Sequence, residues 1–182
     1  RLRERTESTP KPLLDIGGKP ILETIIENLM EYGFHSFTFS TRYLADQINN
    51  YFGDGEKWGA QIDYITEEKP LGTAGALSLL PEKPKGTLLV MNGDVLTKIS
   101  YRQLLRFHEE HNSLATMAVR GFAHQVPYGV VETDGVRITA LEEKPVQSIM
   151  VNAGIYALEP EALAYIPKNT RFDMPQLFET LM

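Results

Sequence analysis

The sequence predicts an α/β fold: a mostly parallel mixed sheet with helices on both faces and a small antiparallel insert over its ligand edge. Three observations predict it. Segments with helical and strand-like apolar spacing alternate from residue 20 to about residue 119. One of them, Leu88 to Met91, is apolar on both faces, as a strand sandwiched between helix layers requires. From Tyr128 the rhythm changes to short strand patterns, GVVET, VRITALEE and VNAGIYAL, broken by turn residues.

Each element follows from local chemistry. Ile21, Leu22, Ile25, Ile26, Leu29 and Met30 share one face of a helix that opens at Pro20 and stops at Gly33. Phe37 to Ser40 reads as a strand, Leu44 to Phe52 as a second helix, and Gly53-Asp54-Gly55 as a turn. Gln61 to Thr66 is the next strand. A helix from about Thr73 to Leu80 ends before Pro81, and a strand from Gly86 to Met91 follows. Ser100 and Gln103 form a capping box for a helix reaching Asn112, and Leu114 to Val119 is another strand. Asp134-Gly135 turns the antiparallel insert.

The chain has 182 residues, 42% of them hydrophobic and 23% charged, which suits a folded domain with one sizeable core. Its net charge is −6 and no basic stripe runs along it, which argues against nucleic acid as a partner. There is no cysteine, so disulfides and thiolate metal sites are excluded. The four histidines, at 35, 108, 111 and 124, lack paired ligand spacing and read as helix or loop residues. Any metal would be a hard, oxygen-bound ion. With no membrane-length apolar run and no signal segment at its start, the expected location is cytoplasmic.

Several stretches carry chemistry. In LLVMNGDVL the apolar strand ends in Asn92-Gly93-Asp94, at the strand end where ligands of open α/β sheets collect. Asp94 there could bind Mg²⁺ through one oxygen while Gly93 admits a ligand to the backbone; an Asx turn leaving the sheet is the competing reading. RLRERTESTPKPLLDIGGKP places Arg1, Arg3, Arg5 and Lys11 in a loop suited to a polyphosphate, or merely to water. In EEKPLGTAGAL, Gly72 and Gly75 open a helix against which a flat ligand could lie, with close packing as the equal alternative. Glu142-Glu143-Lys144-Pro145 and Val151-Asn152-Ala153-Gly154 offer groups for sugar hydroxyls and a phosphate. Tyr128-Gly129 and Phe172-Asp173 carry less information.

In this order the motifs resemble the sugar-1-phosphate nucleotidyltransferase family, whose signature runs G-x-G-T-R-L, P-K-P-x-L, G-T-A, G-D, E-K-P and N-A-G. This chain has Arg1-Leu2, Pro10-Lys11-Pro12-Leu13-Leu14, Leu71-Gly72-Thr73-Ala74-Gly75, Gly93-Asp94, Glu143-Lys144-Pro145 and Asn152-Ala153-Gly154. The resemblance implies a Rossmann-like sheet and transfer of a nucleotidyl group from a nucleoside triphosphate to a hexose 1-phosphate. It implies that Arg1 and Lys11 hold the triphosphate, that Asp94 binds a catalytic Mg²⁺, and that Glu67 or Glu68, Gly72 and Thr73 lie at the nucleobase, beside Asn92 and Gly93. Gly129, Glu143, Lys144 and Asn152 would hold the sugar phosphate, Lys144 at its phosphate. A homo-oligomer is compatible with it.

The wording PLGTAGAL with YGVVETDG and VNAGIYALEPEAL is similar to the guanylyltransferase branch, acting on mannose or glucosamine 1-phosphate, which makes GTP the expected donor. Thymidylyl, uridylyl and cytidylyl transfer stay open. A non-catalytic nucleotide-sugar sensor is the alternative from another class. The glycine-rich loop before Arg1 and a second metal aspartate beyond N-A-G are missing, so residues 1–182 are expected to be one catalytic domain cut short at both ends, weak or inactive as a piece.

Overall fold

A computed structural model describes residues 8–182. The chain divides into two compact units. The first comprises the residues up to Thr116 together with Ile155–Met182, and the second is Met117–Gly154.

In the first unit, α1 (Ile21–Glu31) turns Ile21, Leu22, Ile25, Ile26 and Leu29 inward and ends where Gly33, at φ +91°, lets its N–H reach the Met30 carbonyl at 2.9 Å. Strand β1 (Ser36–Thr41) pairs in parallel with β2 (Gln61–Thr66), Ser36 opposite Gln61. Helix α2 (Ala45–Phe52) connects them, and its Ile48 and Phe52 join Leu22, Ile26 and Ile62 in one core cluster, with Phe39, Trp58 and Tyr64 packed on it. Two more helices, α3 (Gly72–Gly75) and α4 (Tyr101–Glu110), flank β3 (Leu88–Met91), and α5 (Met174–Leu181) closes the unit. Ser100 caps α4 by accepting from the Gln103 N–H at 3.3 Å.

Strand β4 (Ala115–Gln125) leaves the first unit and β7 (Val146–Leu158) re-enters it. Both are longer than their sequence patterns suggest: burial is confined to Thr116 and Ala118 near the start of β4 and to Gly154–Leu158 at the end of β7, and the rest of each strand is largely exposed. Along β7 the exposed Val146–Met150 gives way to the fully buried Ile155–Leu158. In the second unit β5 (Gly129–Asp134) and β6 (Arg137–Glu143) form the expected antiparallel hairpin. Asp134 pairs with Arg137, so the turn is Gly135-Val136 rather than Asp134-Gly135; its positive φ, +59°, falls on Gly135, as a II′ turn requires. Nearly every side chain of this hairpin is exposed.

The α/β class therefore holds, with parallel pairing at β1–β2 and antiparallel pairing of β3 with β7, Leu88 opposite Leu158. Two expectations change, and one histidine, a helix residue as expected, proves to be core. The helix anticipated over 73–80 is one α-turn continued as a 3₁₀ segment, Ala76–Leu79; the Gly75 amide, which an α-helix would give to the Leu71 carbonyl, goes to the Phe172 carbonyl instead, while the Phe172 N–H donates to the Leu71 carbonyl. Leu88–Met91 is half-buried rather than buried, since β3 borders a cavity of about 660 Å³ also lined by β1 and α1. His108 is a core residue, 2% exposed: its Nδ1 lies 2.7 Å from the Thr116 hydroxyl and its Nε2 3.0 Å from Glu159, which also accepts from Thr87 at 2.5 Å.

Candidate active site

The end of β3 is built as the sequence implies. After Met91 the chain turns at Asn92-Gly93-Asp94, and the Val95 N–H closes the turn on the Asn92 carbonyl at 3.3 Å. Asn92 and Gly93 are half-buried, while Asp94 is exposed. A Cβ at Gly93 would make only ordinary contacts, 3.6 Å from Pro12 and 3.9 Å from Leu22, so packing does not demand glycine there, but the distances place Pro12 against this turn. Pro12 belongs to a 3₁₀ turn, Lys11–Leu13, fixed by the Leu13 N–H on the Pro10 carbonyl at 2.8 Å. The turn carrying Lys11, itself exposed, thus abuts the turn carrying Asp94. Arg1, with Arg3 and Arg5, lies outside the described residues.

The Leu71–Gly75 turn is clasped by residues 170–174. Thr73 N–H donates to Asp173 Oδ1 at 2.9 Å, the Ala74 and Gly75 amides donate to the Phe172 carbonyl at 3.0 and 2.8 Å, and Phe172 N–H returns a bond to the Leu71 carbonyl at 2.8 Å. Gly72, at φ +78°, has no room for a side chain, since a Cβ would lie 2.5 Å from Asp173 Oδ1. At Gly75 it would lie 2.5 Å from the Thr170 carbonyl. Close packing is thus a sufficient reason for both glycines. A flat ligand finds the Thr73, Ala74 and Gly75 amides already engaged.

Glu67 is engaged too. One carboxylate oxygen accepts from the Ser40 hydroxyl at 2.7 Å and the other from the Leu71 N–H at 2.9 Å, so Glu67 ties the end of β1 to the start of the glycine turn. Glu68 beside it is exposed.

Three motifs distant in sequence meet at one cavity. Pro12, Thr73 and Gly93 all line the 660 Å³ space bordered by β1 and β3. Much of its lining is apolar, from Leu22, Ile25, Ile26 and Leu29 of α1 to Leu88–Met91, so a polyphosphate suits only its polar margin. Among the described residues no three His, Asp or Glu side chains gather into a metal cage. A single exposed carboxylate such as Asp94 fits a hard ion that keeps waters and takes phosphate oxygens, as Mg²⁺ does.

The second unit brings together three more residues. Gly129 pairs with Glu143, and a Cβ on Gly129 would stand 3.0 Å from Glu143 Oε2. Lys144, at φ +49°, follows directly, donates its N–H to the Tyr128 carbonyl at 3.2 Å and holds its Nζ 3.9 Å from Glu143. Both side chains are well exposed. Asn152 lies on β7, its Oδ1 accepting from the Gly154 N–H at 2.8 Å. Sequence reasoning undervalued Asp173. Its signal was available: Asp173 followed by Pro175 and Gln176 is a helix-start pattern, and the capping box forms.

Residues 1–177 match the family model described as Nucleotidyl transferase. The UTP–glucose-1-phosphate uridylyltransferase of Synechocystis is 34% identical over 96% of this chain and 50% of its own length. The mannose-1-phosphate guanylyltransferase of Mycobacterium tuberculosis is 35% identical over 93% of this chain and 48% of its own. The chain therefore spans about half the length of these curated relatives. Among solved structures, HddC from Yersinia pseudotuberculosis superposes with TM-score 0.69 at 26% identity, covering 95% of this chain and 77% of its own. Its complex with GMP-PN superposes at 0.65 and 25% identity, covering 90% and 73%.

Proposed function

Because the chain belongs to the nucleotidyl transferase family, we propose that the protein moves a nucleotidyl group from a nucleoside triphosphate, GTP before others, to a hexose 1-phosphate. The observation that carries this reading is the meeting of Pro12, Thr73 and Gly93 around one cavity, which puts Lys11, the glycine turn and Asp94 on neighbouring segments. The choice of GTP is supported by the relative named a guanylyltransferase and by the GMP-PN complex of HddC.

In the reaction an oxygen of the sugar phosphate attacks the α-phosphorus. A new P–O bond forms as the bond to the pyrophosphate oxygen breaks in line, and its electron pair leaves with pyrophosphate. Such a step needs positioning and charge neutralisation rather than a covalent nucleophile. Lys11, with Arg1, offsets the charge growing on the departing phosphates. Asp94 would hold Mg²⁺, which would supply further positive charge to the phosphates. The Gly72-Thr73 turn holds the base, with Glu67 bracing it. Gly129, Glu143, Lys144 and Asn152 receive the sugar phosphate. A cytoplasmic location, where such triphosphates are made and used, belongs to the same proposal.

The test is pyrophosphate release by the intact protein with Mg²⁺, each nucleoside triphosphate being paired with mannose, glucose and glucosamine 1-phosphates. Fastest release with GTP and one hexose phosphate is expected. Faster release with UTP or dTTP replaces the donor, an outcome the uridylyltransferase relative makes worth measuring. Silence from every pair refutes the enzymatic reading.

A further inference from the structure

Asp173 caps α5 and, through the same carboxylate, holds a turn that is remote in sequence. Its Oδ1 accepts from the Thr73 N–H at 2.9 Å and lies 3.4 Å from the Thr73 hydroxyl, and that hydroxyl accepts from the Met174 N–H at 2.8 Å. The cap is reciprocal, since Gln176 Oε1 takes the Asp173 N–H at 2.8 Å. With Phe172 engaging Ala74 and Gly75, the shape of the glycine turn is dictated by residues 172–174.

We propose that Asp173 is a positioning residue for nucleotide binding: without touching substrate, its carboxylate presets the Leu71–Gly75 turn in the form the nucleoside triphosphate meets. The inference rests on the reading of that turn as the nucleotide site. A preset turn spares the ligand the ordering of a flexible one, so its loss weakens ground state and transition state alike. The signature is a raised KM for the triphosphate with kcat unchanged.

Three variants of the intact protein separate this role from helix capping. Asp173→Ser keeps a good capping oxygen but is too short to hold Thr73. It is expected to raise the triphosphate KM by about tenfold, the worth of one charge-assisted hydrogen bond, while kcat and the KM for sugar phosphate stay within about twofold. Asp173→Asn retains an acceptor in place and should stay within about threefold of wild type by the same reasoning. Gln176→Ala weakens the same cap without reaching Thr73, and should lower the melting temperature with KM unmoved. The proposal is overturned if Gln176→Ala raises the triphosphate KM as much as Asp173→Ser, if Asp173→Ser raises both KM values alike, or if it raises neither. Photocrosslinking wild-type protein with 8-azido-GTP distinguishes the two levels of the argument. Labelling within residues 67–77, with KM unmoved in Asp173→Ser, overturns the positioning role alone, whereas labelling elsewhere overturns the nucleotide reading and this inference with it.

Discussion

Replacing Gly72 with alanine tests the clasp most directly. Two penalties add. The backbone at φ +78° disfavours any side chain, by about 1 kcal/mol for a left-handed alanine. The new Cβ would also stand 2.5 Å from Asp173 Oδ1 and 2.8 Å from the Phe172 carbonyl. The carbonyl cannot retreat without loosening its bonds from Ala74 and Gly75, and displacing the carboxylate breaks its bond to Thr73, a charge-assisted interaction of about 1.5–3 kcal/mol. Together the substitution should destabilise by about 3–4 kcal/mol, a large part of the 5–15 kcal/mol that typical domains possess. At about 2–4 °C per kcal/mol for a chain of this size, melting should fall by roughly 10 °C. Two other glycines dissect the sum. Gly17→Ala, at φ +76° with open space around it, carries backbone strain without collision, and Gly86→Ala carries neither. Urea unfolding of the three variants should rank Gly72→Ala well below Gly17→Ala, with Gly86→Ala near wild type. Equal losses for Gly72→Ala and Gly17→Ala would refute the collision, and with it the tightness of the clasp.

Further outcomes follow from other sites. His108→Ala strands the Thr116 hydroxyl and one face of Glu159, and should lower stability by about 3 kcal/mol in the same assay. Asp94→Asn in the intact protein should cut kcat by about a hundredfold and weaken its dependence on Mg²⁺ concentration; unchanged rate and dependence would remove Asp94 from the site. The Tyr51 phenol donates to Glu23 at 2.5 Å, and that bond, with burial and nearby carboxylates, pushes its pKa up to about 12 from 10.0. Because the folded value is the higher one, the associated stability is complete below pH 10 and disappears as pH rises through 12. Ultraviolet titration of the phenol should show this, with Glu23→Gln returning the midpoint toward its ordinary position.

Elements whose chemistry is local were legible from the sequence. The apolar face of α1 and its Gly33 stop each arise within a few residues and formed as expected; of the box anticipated at Ser100 and Gln103 the structure shows the Ser100 half, its hydroxyl accepting from the Gln103 N–H. The Asn92-Gly93-Asp94 turn was legible because a strand end is marked by its own composition. What escaped were properties set by residues far away in the chain. Nothing within GTAG announces that Phe172 and Asp173 will take its amides, so the length of its helix and the reason for its glycines stayed hidden. Glu67 looked like a ligand-facing carboxylate, yet Ser40 and Leu71 use both its oxygens. His108 read only as a helix or loop residue, with nothing local to mark it as buried, because its partners, Thr116 and Glu159, come from β4 and from the residue after β7.

The bareness of the β5–β6 hairpin has a consequence in time rather than in space. Its side chains are mostly exposed, its ladder slips register between Glu132 and Thr133, and Val136 at its tip stands wholly in solvent. Burial contributes little there, so backbone hydrogen bonds are the main resistance to opening. Such a segment opens as its own cooperative unit at a small fraction of the global free energy. Its amides should exchange with deuterium long before those of Ile155–Leu158, which are sealed in the first unit. Gly129, Glu143 and Lys144 ride on or beside this hairpin, so a sugar phosphate that they gather would slow that exchange as it binds.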